Sequence, residues 1–297
     1  MENENTTDLL LENYNFNLSD FALFLSVMKN KTAYENVLSI IMNEDELELS
    51  EVKVEQVILN NVGKRAIRLD AWAVDKNNRQ FNTEMQNDAL HDDIRKRSRY
   101  YQGLLDSPIL KSGWQTRYKN LPSTVIIFIT QDDIFGKNLA KYTFSEQCEE
   151  ISGMKLNDGT KKIFLNMKSR NGRPELISLL QYMKKTELNN PDIIIRDKRI
   201  VALDSIVTEV KQSEEWEAVK MNILEIGIKH GISEGCERKL IEQICKKLVK
   251  GKDAETISDE LEEDLSAIKP IYDVAVAFAP DYNIDKIYKT LKKCQKI

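Results

Sequence analysis

Histidine is nearly absent from this sequence. Its two histidines in 297 residues, His91 and His230, stand far apart in the chain. That scarcity excludes histidine-rich metal sites and makes a Ser-His-Asp triad a poor expectation. Cysteine is sparse too: Cys148, Cys236, Cys245 and Cys294 show no CxxC spacing. Neither a zinc ribbon nor a redox pair is therefore indicated, and free thiols in a reducing cytosol are expected. No apolar run approaches the ~20 residues that span a bilayer. The opening Met1-Glu2-Asn3-Glu4-Asn5 is too acidic and polar for a secretory signal. The expected address is cytoplasmic, with no membrane partner. Whatever chemistry the chain performs must come mainly from carboxylates.

What is present fits a folded protein with a substantial core. Hydrophobic residues make up 41% and charged residues 31%, outside the range of a disordered chain. A net charge of −5 argues against a protein that coats nucleic acid indiscriminately. The charge is uneven, however. From His91 to Lys119 seven Lys/Arg face three Asp, whereas from Asp253 to Asp264 there are seven acidic residues and no basic one. A local basic stripe in an acidic protein suits a selective polyanion site.

Hydrophobic periodicity predicts an α/β core followed by an all-helical tail. Phe21, Phe24, Leu25 and Met28 form one helical stripe, with Ser19-Asp20 as its cap. After a break at Asn30-Lys31-Thr32, Tyr34, Val37, Leu38 and Ile41 form a second, which carries Glu35. Residues 51–60 and 65–74 alternate as strands, Asp75-Lys76-Asn77-Asn78 signals a turn, and 80–86 returns as the partner strand. A helix over 89–105 carries the basic stripe. The continuous apolar run 124–130 is a central, fully buried strand. A strand over 162–166 and a helix over 175–184 follow, with a linker just before Pro191. Residues 214–250 are helical, and 253–297 hold two or three more helices. The domain boundary is placed near 205, giving a core over 1–205 and an appendage over 206–297.

The chemistry concentrates on the hairpin from Arg65 to Gln86. Alternation puts Arg68, Asp70 and Trp72 on one face of the first strand, and Asn82, Glu84 and Gln86 on one face of the second. Asp70, Glu84 and Gln86 can then converge, and an aspartate facing a glutamate suits a hard divalent cation such as Mg²⁺. A plain two-residue loop at Asn77-Asn78 would pair 70 with 85 and separate the two carboxylates. Convergence therefore requires an odd loop length or a β-bulge. The plainer alternative is that both acids are ordinary charges on the wet face of a sheet. Against it, glutamate is disfavoured within a strand, and the next helix delivers the basic stripe. In that stripe, Arg95, Arg97 and Arg99 can grip phosphates and the Tyr100 hydroxyl can reach a nucleic-acid backbone, or the whole run is a solvated helix face. Arg97 and Arg99, two apart, point in different directions. Trp114 and Tyr118 are expected in the core.

The runs IRLDAWAVDKNNRQFNTEMQN and KRSRYYQGLLDSPILKSGWQTRYKNLPSTVIIFIT resemble the PD-(D/E)XK nuclease family transposases, or Rpn-type recombination-promoting nucleases. YTFSEQCEE, LNDGTKKIFLN and MNILEIGIKHGISEG, further along, extend the resemblance over roughly 18–235. It implies a restriction-endonuclease-like mixed sheet flanked by helices. It also implies DNA cleavage dependent on a divalent metal (Mg²⁺, or another such as Mn²⁺ or Ca²⁺) and a link to recombination, mobile elements or defence. By the same resemblance Asp70 is the motif aspartate and Glu84 the motif glutamate. Gln86 stands where a lysine is usual in the superfamily, and glutamine there is usual for this family. Glu35 is the candidate for a further metal-binding carboxylate from the N-terminal helix, with Asp20 as an alternative that can instead cap its helix. A glutamine brings no charge, so electrostatic work falls more heavily on the metal and on Arg97 or Arg99.

In the tail, Gly227, Gly231 and Gly235 recur every fourth residue, which suggests close packing or a dimer contact. Leu240, Ile244 and Leu248, then Ile257, Leu261, Leu265 and Ile268, keep helical period around a break at Gly251. A helix-turn-helix is conceivable there, but the acidic residues of 253–264 would repel phosphate, which favours an interaction or oligomerisation module. Three function classes follow. One is a metal-dependent DNA endonuclease, expected as a homodimer because paired cuts in duplex DNA need two sites. Another is a catalytically weak or inactive DNA- or partner-binding protein that keeps the fold. A full transposase ranks below both, since no separate sequence-reading or strand-transfer region is evident.

Overall fold

The computed structural model describes residues 14–59, 65–87, 92–110 and 117–294. The chain divides into two compact units, one up to Val219 and one from Lys220.

The first unit opens with α1 (Phe21–Met28) and α2 (Lys31–Met42). Asn30, between them, accepts from the Ala33 amide and so caps α2. Asp20 occupies the cap position of α1 without capping it. Its carboxylate turns back to accept from the Asn17 amide at 2.7 Å. Then come β1 (Leu49–Ile58), β2 (Ile67–Asp75), β3 (Gln80–Gln86), α3 (Ile94–Asp106), β4 (Thr124–Thr130), β5 (Lys141–Phe144) and β6 (Thr160–Asn166). Helices α4 (Pro174–Lys184) and α5 (Lys198–Lys211) follow, and α6 (Glu214–Leu248) begins near the end of the unit. Helix α3 starts at Ile94, later than its apolar pattern suggests, because the Asp93 carboxylate accepts from the Arg95 and Lys96 amides.

The six strands form one mixed sheet in the order β1-β2-β3-β4-β6-β5. β1, β2 and β3 run as an antiparallel meander; β3, β4 and β6 are parallel; β5 lies antiparallel on the far edge. Every residue of β4 is buried, as its unbroken apolar sequence requires of a strand with neighbours on both edges and cover on both faces. Under α3, Trp72, Ile126, Phe128 and Phe164 pack against Ile94, Tyr101 and Leu105. Each such side chain removed from water contributes about 2 kcal/mol. On the other face Tyr34 of α2 is fully buried, its hydroxyl 2.9 Å from both the Ala71 carbonyl and the Thr83 hydroxyl. This is the restriction-endonuclease-like α/β fold expected from the sequence.

Several local expectations are corrected. Asn190 is buried and its amide donates to the Gln181 carbonyl at 3.1 Å, so the stretch before Pro191 packs onto α4. Helix α5 lies beyond it, and the compact unit continues to Val219 instead of ending near 205. Tyr118 sits in a 3₁₀ turn and is 83% exposed, outside the core; Trp114 lies outside the described residues.

The second unit holds the rest of α6 with α7 (Ala254–Leu261), α8 (Leu265–Val276) and α9 (Ile284–Cys294). Its helices close over two small apolar clusters, one around Ile241, Cys245, Ala275 and Ile287, the other around Ile244, Ile257 and Ile268. Gly251, at φ +72°, turns the chain after α6, a left-handed conformation that glycine adopts without strain. The acidic run is partly spent inside the unit, since Asp253 caps α7 and Glu260 pairs with Lys247 and Lys252. Among the described residues, nothing beyond the helix's own backbone lies within 4 Å of where a Cβ would stand on Gly227, Gly231 or Gly235.

Candidate active site

The β2–β3 loop decides whether the two carboxylates meet. Val74 pairs with Gln80 and Ala71 with Thr83, and the Asp75 amide donates to the Arg79 carbonyl. Three residues, 76–78, therefore form the loop. The Asn78 amide donates to the Asp75 carbonyl, and Asn78 takes φ +58°, the left-handed residue that follows a type I turn in a three-residue hairpin loop. Asparagine tolerates that conformation better than most residues. This is the odd loop length that convergence demanded, and it sets Asp70 opposite Glu84 with both side chains on the α3 face.

At that pair the ladder opens. Regular β2–β3 pairing stops at Ala71 and Thr83, and carboxylates take over as acceptors. The Asp70 amide donates to Glu84 Oε1 at 3.1 Å, and the Met85 amide donates to Asp70 Oδ2 at 3.0 Å. The Asn82 side-chain amide also donates to Glu84 Oε1, at 3.1 Å. Across the other edge of β2, Val54 pairs with Ala71 and Gln56 with Leu69, but Glu55 between them sits at φ +51°. For a non-glycine residue inside a strand this stores on the order of 1 kcal/mol of strain. It falls on the residue facing Asp70.

Burial dominates the electrostatics. Asp70 is 7% exposed and Glu84 fully buried. Loss of solvent raises Asp70 to about 6, against the pull of the Met85 amide and of Arg97. It raises Glu84 to about 7, with the Asp70 charge pushing the same way. Arg97, on α3, answers that charge. Its Nη2 lies 2.8 Å from Glu84 Oε2, its Nη1 2.8 Å from Gln86 Oε1, and its Nε 2.9 Å from the Tyr101 hydroxyl. The guanidinium also stacks over the Tyr101 and Phe128 rings, at 4.9 and 5.6 Å from the centroids.

A cleft of about 600 Å³ opens over Asp70 and Arg97, lined by Arg65, Arg68, Lys96, Arg99 and Tyr100 and also by Asp92 and Asp93. Of the stripe's arginines, Arg97 turns to the carboxylates and Arg99 to the cleft. Arg95 does not line the cleft: its Nε pairs at 3.0 Å with Asp93, which does. The Tyr100 hydroxyl donates to the Arg65 carbonyl. Glu35 is not brought to the site. Its carboxylate accepts from the Leu49 amide at 2.8 Å, and Leu49 pairs with Asp75 at the opposite end of β2 from Asp70. Sequence reasoning passed over Arg65, Arg68 and Lys96 as cleft residues. Arg68 was within reach, because it shares the Asp70 face of β2.

Among the described residues no group of three or more His, Cys, Asp or Glu converges to hold a metal. The donors present do suit one kind of ion. Asp70 and Glu84 offer only hard oxygens, and buried Asn82 Oδ1 lies beside them with no partner. Two carboxylates completed by water and substrate phosphate match Mg²⁺ or a similar hard divalent cation.

A mixed sheet flanked by helices, with paired acids on adjacent strands under a basic cleft, is the architecture of the restriction-endonuclease-like nucleases. The chain belongs to the PD-(D/E)XK nuclease family transposases, whose family model matches residues 18–218. The match ends where the first compact unit ends. No curated protein and no solved structure matches the chain.

Proposed function

We propose that the chain is a divalent-metal-dependent DNA endonuclease, in which Asp70 and Glu84 hold the metal and the basic cleft holds the phosphodiester backbone. The observation that carries this reading is the meeting of two buried carboxylates, both with raised pKa, beside a cleft lined by arginines. Two neighbouring acids stripped of solvent are costly in a folded protein unless a cation joins them. When bound, a divalent ion would polarise the phosphate and lower the pKa of an attacking water. Asp70 borders the cleft, where it would hold the ion; Glu84 is held by Asn82 and Arg97. Arg68, Lys96 and Arg99 bind phosphates without reading bases. The same reading places the work in the cytoplasm, on recombination, mobile elements or defence, with two copies cooperating on paired cuts.

Supercoiled plasmid incubated with the protein in Mg²⁺, Mn²⁺ or EDTA tests it, alongside Asp70→Ala and Glu84→Ala. Cutting is expected with metal only, and each substitution is expected to reduce it by 100-fold or more, the scale of removing a main electrostatic group. Cutting that survives both substitutions sinks the site assignment. No cutting with any divalent metal favours a DNA- or partner-binding protein that keeps the fold.

A further inference from the structure

By the family resemblance Gln86 stands where a lysine is usual, and it carries no charge. It is also absent from the cleft lining, whereas Arg97 lines the cleft beside Asp70 and keeps 24% of its side chain exposed. The Gln86 amide oxygen accepts from Arg97 Nη1 at 2.8 Å, and the Tyr101 hydroxyl accepts from Nε at 2.9 Å and from Nη2 at 2.6 Å. These bonds grip the planar guanidinium in one orientation against the Tyr101 and Phe128 rings.

Resting on the nuclease reading above, we propose that Arg97, delivered from α3, is the catalytic cation of this site, and that Gln86 and Tyr101 are positioning residues that aim it at the scissile phosphate. In the hydrolysis, the water oxygen bonds to phosphorus while the bond to the leaving sugar oxygen breaks. The electron pair departs with that oxygen, which takes a proton from solvent, and the attacking water releases one to solvent. Arg97 transfers no proton. It offsets the negative charge that gathers on the non-bridging oxygens, with a fixed charge that needs no reorientation as the reaction proceeds. Two features of this chain fit that role. Arginine remains protonated at any working pH, and its planar fork can contact two phosphate oxygens at once. Gln86, being neutral, holds Nη1 without adding a second carboxylate to Glu84, whose Oε2 already takes Nη2 at 2.8 Å.

The alternative role for Arg97 is structural: it would only neutralise Glu84 in the folded chain, and a bound metal would make it redundant. The full chain and its Arg97→Ala, Gln86→Ala and Gln86→Lys/Arg97→Ala variants separate the two. Mn²⁺ affinity is read by electron paramagnetic resonance, and single-turnover plasmid cutting is measured at saturating Mn²⁺. Arg97→Ala is expected to bind Mn²⁺ at least as tightly as the wild type, since a repelling charge is gone, yet to cut about 100-fold more slowly. Gln86→Ala is expected to slow cutting roughly tenfold with Mn²⁺ affinity unchanged. The double variant, with a lysine restored on the strand, is expected to regain roughly tenfold over Arg97→Ala. Arg97→Ala cutting within about threefold of wild type overturns the inference alone, as does a double variant no faster than Arg97→Ala. Loss of Mn²⁺ binding in Arg97→Ala that the added lysine does not restore makes Arg97 a buttress, and overturns it too. A wild type that cuts with no divalent metal offered overturns the nuclease reading and this inference together.

Discussion

Asp70 and Glu84 are neighbours that repel, and most of what the site does at the residue scale follows from how that repulsion is relieved. Both carboxyls have pKa values above their ordinary range, chiefly because burial penalises the charged form. The sign of the linked stability follows. A folded pKa above the unfolded one favours the neutral acid, so the contribution is whole below about pH 4 and is lost as pH climbs through 6 to 7. The metal-free chain should therefore unfold at falling temperature as pH rises from 4 to 8 in EDTA. Asp70→Asn removes the repulsion and keeps an acceptor for the Met85 amide. It should melt higher than the wild type at pH 8 in EDTA and should flatten the pH profile, while cutting nothing. A profile identical to that of the wild type would show that Asp70 is not titrating in this range. Metal binding should strengthen over the same interval, because the ion competes with protons for the same oxygens.

At the scale of elements, the β2–β3 hairpin bears the greatest burden, and its loop gives the sharpest handle. Asn78 holds φ +58°, a conformation that costs a β-branched residue on the order of 1–2 kcal/mol. Asn78→Val should lower stability by about that much and weaken cutting with it. Asn78→Gly should leave both near the wild-type level, as thermal unfolding and the plasmid assay would read. Much of this hairpin was legible in advance. Alternation fixed the faces of β2 and β3, and the requirement that Asp70 meet Glu84 demanded an odd loop, which the Asp75-Asn78 turn supplies. What alternation could not supply was anything set by other parts of the chain. Glu35 lies on the expected helix, but the path of the chain into β1 claims its carboxylate for the Leu49 amide. Arg95 and Arg97 are two residues apart and alike in sequence. Only the cap at Asp93 and the rotation of α3 on the sheet send one to Asp93 and the other to Glu84. β5, half-exposed and four residues long, and α5, set after a polar stretch, carried patterns too weak to read without their neighbours.

On the scale of the whole molecule, the family match over 18–218 and the compact unit ending at Val219 coincide. The sheet, its covering helices and the cleft all lie within that unit. A chain cut after Val219 should fold with a single cooperative transition and keep metal-dependent cutting, which calorimetry and the plasmid assay would check. A fragment that cannot fold would mean the helical unit is part of the nuclease's stability. The opening of the ladder between β2 and β3 has a reach that extends beyond chemistry. Where a sheet ordinarily bonds backbone to backbone, here the amides of Asp70 and Met85 rest on the carboxylates themselves. A cation bound there would sit on the same two side chains that tie β2 to β3 at this point. Cutting either side chain back to alanine should therefore loosen the Asp70 or Met85 amide as well as abolish metal binding, which hydrogen exchange would read.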